Sequence, residues 1–251
     1  MNIWDSYFQE WTKDKRIALV GPGESAIGKK RGEFIDSFDI VSRVKSITYP
    51  EKFFEDLGER CDILYTTNPF DRVDVIKQEL CRHQIGETVH KKEKYEDFDY
   101  LKKVKCVVCT YPEEEWFSER FIKDFEQLKA SGITKVRYAN PESYFKAKID
   151  TSRPNSGFSA ILDILSFDIG ELHMFGLDFH RSMYRSDYQN SLYNHQIILD
   201  DTTRSDGGET HQPDKQFRYF KYKIYNIDKR VKVDEELEHY LNDEKYEKIY
   251  E

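Results

Sequence analysis

The feature of this sequence that most constrains its fold is a regular alternation of short apolar runs with amphipathic segments. The strand-like runs read "RIALVG", "FDIVSRV", "CDILYTT", "VKCVVCT", "KVRYA" and "ELHMFGLD". Segments with helical spacing of apolar residues separate most of them, for example "DRVDVIKQELCRH" and "EEEWFSERFIKDFEQLKASG". This alternation predicts an α/β fold with a mainly parallel sheet and helices on both faces.

The length of the chain and the absence of a linker bear on its domain organisation. At 251 residues, without internal repeats or a Pro/Ser-rich stretch, the chain is expected to form one domain over residues 1–251. Residues 178–213 are mostly polar, with glycines and scattered aromatic residues. That composition predicts a lid or active-site loop.

Charge and hydropathy exclude some classes of function. The formal net charge of -8 comes from acidic and basic residues that alternate along the chain, so we expect no nucleic-acid partner. No apolar run approaches the length of a membrane span, and the N-terminal "MNIWDSYFQEWTKDKR" has the spacing of an amphipathic helix. We therefore expect a cytoplasmic protein without stable membrane insertion. The sequence does not predict its oligomeric state.

The four cysteines are expected to be reduced thiols. Cys106 and Cys109 form a CxxC inside "KVKCVVCTY", which has the character of a buried strand. No second CxxC or paired histidine follows, so a core strand is favoured over a zinc or redox site.

A glycine-rich turn, "GPGES", follows the first apolar run. Gly21 and Gly23 allow the backbone to approach a ligand closely, and the amides of Glu24 and Ser25 are placed to open a helix toward a phosphate. Ligands of open parallel sheets lie beyond the carboxyl ends of the strands, where this turn falls. Neither the dinucleotide nor the Walker pattern is complete, so the glycines alone fit a tight turn without ligand equally well.

The order of the segments is more specific than the turn. A strand, Gly-x-Gly-x-Ser, a basic spacer, "IDSFDIVSRV" and "LGERCDILYTT" together resemble the large sialylmotif of sialyltransferases. Likewise, "SRPNSGFSAILDILSFDIGELHMFGLDF" resembles their small sialylmotif, and its "R-x-x-S-G" and "G-x-D-F" elements are similar to a bacterial group. The resemblance is therefore to glycosyltransferase family 29, with features of the bacterial family 42.

This resemblance implies a Rossmann-like fold of the GT-A-variant sialyltransferase type. It also implies an inverting glycosyltransferase that moves an acidic, sialic-acid-like sugar from a CMP-activated donor to a glycan hydroxyl. The expected partners are thus a nucleotide-sugar donor and a carbohydrate acceptor. No metal ion is implied, and no cofactor other than the donor substrate itself. Asp200 and Asp201 are the tempting metal pair, but adjacent residues in an extended loop point apart.

The resemblance also assigns roles to individual residues. His211 is the expected general base, with His180 next in line and Tyr184 expected to hold the donor phosphate. A Ser-Gly pair that opens a helix presents a hydroxyl and free amides to an anion. The expected donor-binding residues are Gly21, Gly23, Glu24, Ser25, Arg43, Lys45, Asn155, Ser156, Gly157 and Tyr188. Asp36 and Asp39 match the motif but are expected to orient the turn.

Several positions depart from the family pattern. Lys45 stands where the large motif ends in Asn, Gln216 stands near the place of a Glu, and the cysteines that bridge the two motifs are missing. Two alternatives therefore stay open. One is a Rossmann-type enzyme that binds a nucleotide or S-adenosylmethionine, although "FDIVSRV" lacks the acidic residue that grips a ribose. The other is a nucleotide-binding module that has lost catalysis.

Overall fold

A computed structural model describes residues 3–45, 51–69, 98–115, 121–185 and 211–246. Seven parallel strands form one sheet in the order β5-β4-β3-β2-β1-β6-β7. Their bounds are β1 Arg16–Val20, β2 Ile40–Val44, β3 Ile63–Thr66, β4 Cys106–Cys109, β5 Lys135–Tyr138, β6 Glu171–Phe175 and β7 Val231–Val233. The predicted parallel α/β sheet is confirmed.

Helices connect the strands. Their bounds are α1 Ile3–Thr12, α2 Gly32–Asp36, α3 Phe54–Leu57, α4 Ile122–Ser131, α5 Pro141–Thr151, α6 Ser156–Leu165, α7 Pro213–Tyr219 and α8 Glu235–Asn242. A π-helical turn, Phe220–Tyr225, continues α7, and short 3-10 turns lie at Glu24–Ala26, Glu51–Phe53, Asp99–Leu101 and Glu244–Tyr246. Local signals explain several ends: Gly132 terminates α4 in the left-handed conformation, and Asn140 caps α5 by accepting a hydrogen bond from Ser143 N at 3.0 Å.

The core occupies both faces of the sheet. In β1, Ile17 and Leu19 pack on one face with α1 and α6, whereas Ala18 and Val20 pack on the other with α2 and α3. The period of two along the strand therefore supplies both apolar layers, and helices cover both faces as predicted.

One strand of the sheet differs from the sequence-based prediction. β7 was not predicted, because its three residues "VKV" are too short to show periodicity.

The CxxC lies in β4, as expected, and both thiols are buried, which raises the pKa of Cys106 and of Cys109 to about 12. The predicted helix "DRVDVIKQELCRH" and most of the predicted lid, residues 186–210, lie outside the described residues. No helix among the described residues has the length and apolar character needed to cross a bilayer.

The topology positions the site. β1 lies between β2 and β6, and the chain builds the sheet outward in opposite directions from this point. Such a reversal separates the loops at the carboxyl ends of the two neighbouring strands and leaves a crevice between them. The turns after β1, β2 and β6 therefore border the expected ligand site.

Candidate active site

The turn after β1 packs tightly against the chain that follows β6. Gly23 N donates to Gly176 O at 3.0 Å, and Glu24 N donates to Met183 O at 2.8 Å. Gly23 also pairs with Tyr184 in an antiparallel bridge. The Glu24 amide, which was expected to face a phosphate, is thus already bonded within the protein, and so is the Gly23 amide. Ser25 Oγ is buried and has no hydrogen-bond partner among the described residues.

Three of the glycines are required by packing between turns. A Cβ on Gly21 would lie 2.4 Å from Gly176 O, and a Cβ on Gly157 would lie 2.8 Å from Leu177 Cδ2. A Cβ on Gly23 would lie 2.7 Å from Gly176 O. The "GPGES" and "RPNSG" turns therefore meet at the same edge of the sheet, as expected. Leu177 lies against both turns, beside Gly21 and beside Gly157.

The second turn is fixed by α6 and α7. Asn155 caps α6 by accepting a hydrogen bond from Phe158 N at 2.9 Å, and Ser156 begins the helix with its side chain almost fully buried. Gln216, fully buried on α7, donates Nε2 to Arg153 O at 3.1 Å and accepts from Asn155 N at 3.4 Å. Gln216 therefore ties the turn that opens α6 to α7 through two hydrogen bonds.

His211 lies on the same turn. Its Nδ1 is 2.9 Å from Arg153 O, and because a carbonyl only accepts, Nδ1 carries the proton. The opposite nitrogen, Nε2, is then left with its lone pair, as a base requires. Burial, with smaller contributions from the cations Arg153 and Lys45, lowers the pKa of His211 to about 3, although the hydrogen bond to Arg153 O acts in the opposite direction. The His211 imidazole therefore stays neutral at pH values well below the ordinary histidine pKa of about 6.5.

His180 occupies strained backbone directly after β6. Both Phe179 and His180 have positive φ angles, 55° and 63°, which cost free energy for residues other than glycine. The Phe179 ring is buried in the core and holds this conformation. His180 Nε2 lies 3.4 Å from Tyr184 Oη, while Nδ1 is buried without a hydrogen-bond partner among the described residues. Burial lowers the pKa of His180 to about 4, and Lys45 adds to the effect.

Lys45 connects the two histidines electrostatically. It follows β2 with a φ of 65°, and its amide donates to Tyr65 O at 2.7 Å. Its charge lowers the pKa of both His180 and His211. The carboxyl ends of β2 and β6 and the start of α7 therefore bring these three predicted residues into one neighbourhood.

Arg43 lies apart from this group. Its guanidinium is fully buried, where Nε donates to Arg60 O at 2.6 Å and Nη2 donates to Leu57 O at 3.0 Å. The expectation that Arg43 contacts a donor does not fit these bonds, because the side chain holds the segment before β3 inside the protein. We therefore do not retain it as a donor contact.

The acidic residues of the motif behave as expected. Asp36 accepts hydrogen bonds from Glu59 N at 2.8 Å and Arg60 N at 3.1 Å, and Asp39 accepts from Arg16 N at 2.8 Å. Both carboxylates orient backbone. The architectural role predicted for them is confirmed.

The basic spacer after the glycine turn is used for ion pairs. Lys29 pairs with Glu236, Lys30 Nζ lies 3.0 Å from Glu55 Oε1, and Arg31 lies 3.2 Å from a Glu236 oxygen. These cations fasten the turn to α3 and α8 rather than to a ligand.

Sequence reasoning missed one residue behind the glycine turn. Arg185 is almost fully buried, its amide donates to Pro22 O at 3.0 Å, and its Nη1 lies 3.5 Å from Gly21 O. No motif marked it, because an arginine in a polar stretch is ordinarily solvated.

Tyr188, Asp200 and Asp201 lie outside the described residues. Within the described ranges, no three His, Cys, Asp or Glu side chains form a group suited to a metal.

A family model and two solved structures are similar to this chain. The model of glycosyltransferase family 29 (sialyltransferase) matches residues 8–166, more than half of the chain. Two crystal structures of a mammalian sialyltransferase resemble the chain over 88% of its length and 69% of theirs. One, in complex with Gal-beta-1-3GalNAc-ortho-nitrophenol, has a TM-score of 0.49 at 13% identity, and the other 0.48 at 14%. No curated protein gives a significant match. The family match ends before His180, Tyr184 and His211, so their roles depend on the geometry.

Proposed function

Because the chain belongs to glycosyltransferase family 29 and is a glycosyltransferase, we propose that it transfers a sialic-acid-like sugar from a CMP-activated donor to a glycan hydroxyl. We further propose that the transfer inverts the anomeric carbon and needs no metal ion. The observation that carries the proposal is the fixed tautomer of His211 beside two cations, Lys45 and Arg153, at the switch point of the sheet.

His211 is the general base in this proposal. Its Nδ1 proton is committed to Arg153 O, so only Nε2 can accept the proton of the acceptor hydroxyl. The acceptor oxygen then attacks the anomeric carbon from the face opposite the phosphate, the new C–O bond forms as the old one breaks, and CMP leaves. A single displacement of this kind inverts the configuration.

The departing phosphate gains negative charge during this step. Lys45 and Arg153 supply positive charge near His211, and the Tyr184 hydroxyl and the His180 ring supply hydrogen-bonding groups. Preorganised groups of this kind stabilise developing charge more strongly in a buried site than in water. These residues take the place that a divalent ion fills in metal-dependent transferases.

The low pKa of His211 makes catalysis depend on the donor. A base with a pKa of about 3 accepts a proton poorly at neutral pH. A bound donor places the negative charges of its phosphate and carboxylate beside Lys45 and Arg153, which offsets their effect and raises the pKa. We therefore expect donor to bind first. We also expect kcat/KM to fall on the acid side only well below pH 6.5. The reason is that the His211 imidazole of the free enzyme stays neutral down to that range.

The proposal is tested with CMP-sialic acid, measuring both transfer to a panel of galactosides and donor hydrolysis, in buffer with EDTA. His211→Asn should reduce turnover roughly 100-fold or more because it removes the proton acceptor, while CMP affinity remains close to the original value. The matched control is His239→Asn. The His239 side chain is exposed on α8, so this change should leave turnover unchanged.

Three results would contradict parts of the proposal. If the His211→Asn variant keeps wild-type turnover, His211 is not the general base. If activity is lost in EDTA and restored by a divalent ion, the transfer depends on a metal. CMP binding with neither transfer nor hydrolysis by the wild-type chain would instead support a nucleotide-binding module without catalysis.

A further inference from the structure

The segment that contains α7 and its π-helical turn differs in composition from the rest of the chain. Residues 215–232 hold seven lysines and arginines and one acidic residue, although the chain as a whole carries a net charge of -8. The alternation of charge found along most of the sequence is therefore absent here. Aromatic residues lie between the cations of the helical part, at Phe217, Tyr219, Phe220, Tyr222 and Tyr225.

The fold separates this segment into an apolar inner face and a basic outer face. Lys215 and Lys223 are exposed on the outer side of the helix, and Lys229 is exposed just beyond its end. We call these three lysines the basic face. The inner side chains are buried in the core cluster that α6 also joins, and they are Phe217, Phe220 and Ile224.

The carboxylates nearest to the basic face along the chain are paired with other cations. Asp214 Oδ1 lies 2.8 Å from Arg181 Nη1, and Asp228 Oδ2 lies 2.7 Å from Arg230 Nη2. Among the residues that the structure describes, the three lysines of the basic face form no ion pair. Their charges are directed to the surroundings of the protein, where they attract anions.

Apolar side chains are exposed around the same face. Tyr222 is 47% exposed and Ile227 is 65% exposed. Ile149, on the neighbouring helix α5, is 85% exposed. Burial and the charge of the adjacent Asp150 raise the pKa of Tyr219, which places this part of α5 beside α7. Of the five large hydrophobic side chains that are exposed among the described residues, three thus lie at this surface.

We propose that the basic face, together with Ile149, Tyr222 and Ile227, docks the protein on an anionic lipid bilayer. Lysines close to such a surface are attracted by the phosphate groups of acidic lipids, and exposed apolar side chains enter the headgroup region at the same time. A soluble polyanion would use the cations alone, so the apolar side chains favour a bilayer. No helix crosses the bilayer in this arrangement, and the inference is independent of the proposed function.

The test is co-sedimentation with vesicles of phosphatidylcholine, with and without about one third phosphatidylglycerol. The wild type should bind the anionic vesicles and not the neutral ones, and salt at about 0.5 M should release it because the attraction is screened. Lys215→Gln/Lys223→Gln/Lys229→Gln should weaken binding to the anionic vesicles roughly 30-fold or more, since three cations are removed from the surface.

A second triple variant is the matched control. Lys103→Gln/Lys123→Gln/Lys129→Gln removes the same charge from exposed lysines before β4 and on α4, toward the opposite end of the sheet from β7. This variant should bind the anionic vesicles as the wild type does. Ile149→Ser/Ile227→Ser should weaken binding roughly 5-fold or more and leave its salt dependence unchanged, because only apolar contacts are lost.

The possible results decide the matter without any measurement of sugar transfer. A wild type that does not bind the anionic vesicles overturns the inference. Equal losses in the two triple variants would also overturn it, since they would indicate a general effect of charge. If Ile149→Ser/Ile227→Ser has no effect and the wild type binds heparin as tightly as it binds vesicles, the face binds a soluble polyanion and the lipid assignment is wrong. Each of these results leaves the proposed function intact.

Discussion

At the scale of the residue, the sequence predicted which loop residues lie near one another better than it predicted which strand residues are buried. His180, His211 and Lys45 were predicted from their places in motifs, and the structure brings them into one neighbourhood. Arg43 belongs to the same motif, yet it is buried because it lies inside β2 and its partners are the carbonyls of Leu57 and Arg60. A linear pattern does not distinguish these cases, since the face to which a strand residue points depends on the packed sheet.

The two histidines should also make stability depend on pH. The pKa values of His211, about 3, and His180, about 4, lie below the value near 6.5 expected in the unfolded chain. The unfolded state therefore binds protons that the folded state does not. The free energy of unfolding should fall as the pH drops from about 6.5 toward 4, and the contribution is fully present above about 6.5.

Urea denaturation between pH 7.5 and 4.5 tests this expectation in the wild type and in a His180→Asn/His211→Asn double variant. The variant should be less sensitive to pH, although carboxylates affect both proteins at the acid end. A difference in stability that stays constant across the whole range would show that the two rings titrate normally.

At the scale of the element, periodicity predicted six of the strands, whereas contacts between turns were not predictable. The glycines of "GPGES" were expected to admit a ligand, but Gly21 and Gly23 instead admit Gly176. Their true partner lies more than 150 residues away along the chain, and a local pattern carries no information about it. Leu177, which contacts both turns, had no sequence signal at all.

Packing at Leu177 yields a double-mutant test. Gly157→Ala should destabilise the fold by about 1–3 kcal/mol, because the new Cβ meets Leu177 Cδ2 at 2.8 Å. In a Leu177→Ala background the same change should be neutral or slightly stabilising, since Ala favours the helix more than Gly does. Chemical denaturation of the four proteins in the cycle measures the coupling.

Gly21→Ala provides the contrast. Its Cβ would meet the Gly176 carbonyl oxygen at 2.4 Å, and backbone cannot be trimmed away. Its cost should therefore persist in the Leu177→Ala background. If Leu177→Ala relieved both substitutions equally, the turns would be held by something other than these contacts.

At the scale of the whole molecule, a buried ionic cluster links elements that are distant in sequence. Arg137 on β5 bonds to both carboxylate oxygens of Asp163 on α6, which also accepts from Tyr65 Oη on β3 at 2.8 Å. Arg137 Nε also lies 3.3 Å from Asp5 Oδ1 on α1. The parallel sheet was predictable from alternation, but this cluster was not, because charged residues carry no periodic signal for burial.

Asp163→Asn should destabilise the protein by about 3–5 kcal/mol, since it leaves the buried Arg137 cation with only the partly exposed Asp5 as a compensating charge. Asp168→Asn, at an exposed position, should change the free energy of unfolding by less than about 0.5 kcal/mol. Denaturant titration compares the two variants. Equal effects would mean that solvent screens the Arg137 charge.

The place of β1 between β2 and β6 also determines the order in which its two neighbours are synthesised. Residue 16 pairs with residue 171 on one side, while its other neighbour, β2, is complete by residue 44. As the chain leaves the ribosome, strands β1 to β5 are available for pairing long before β6 is synthesised. The glycine turn therefore exists early, but the residues that cover it and the histidines that flank it are translated late. A chain that stops before β6 would hold five of the seven strands and neither His180 nor His211. Under the proposed function, activity would therefore report that synthesis has passed residue 211.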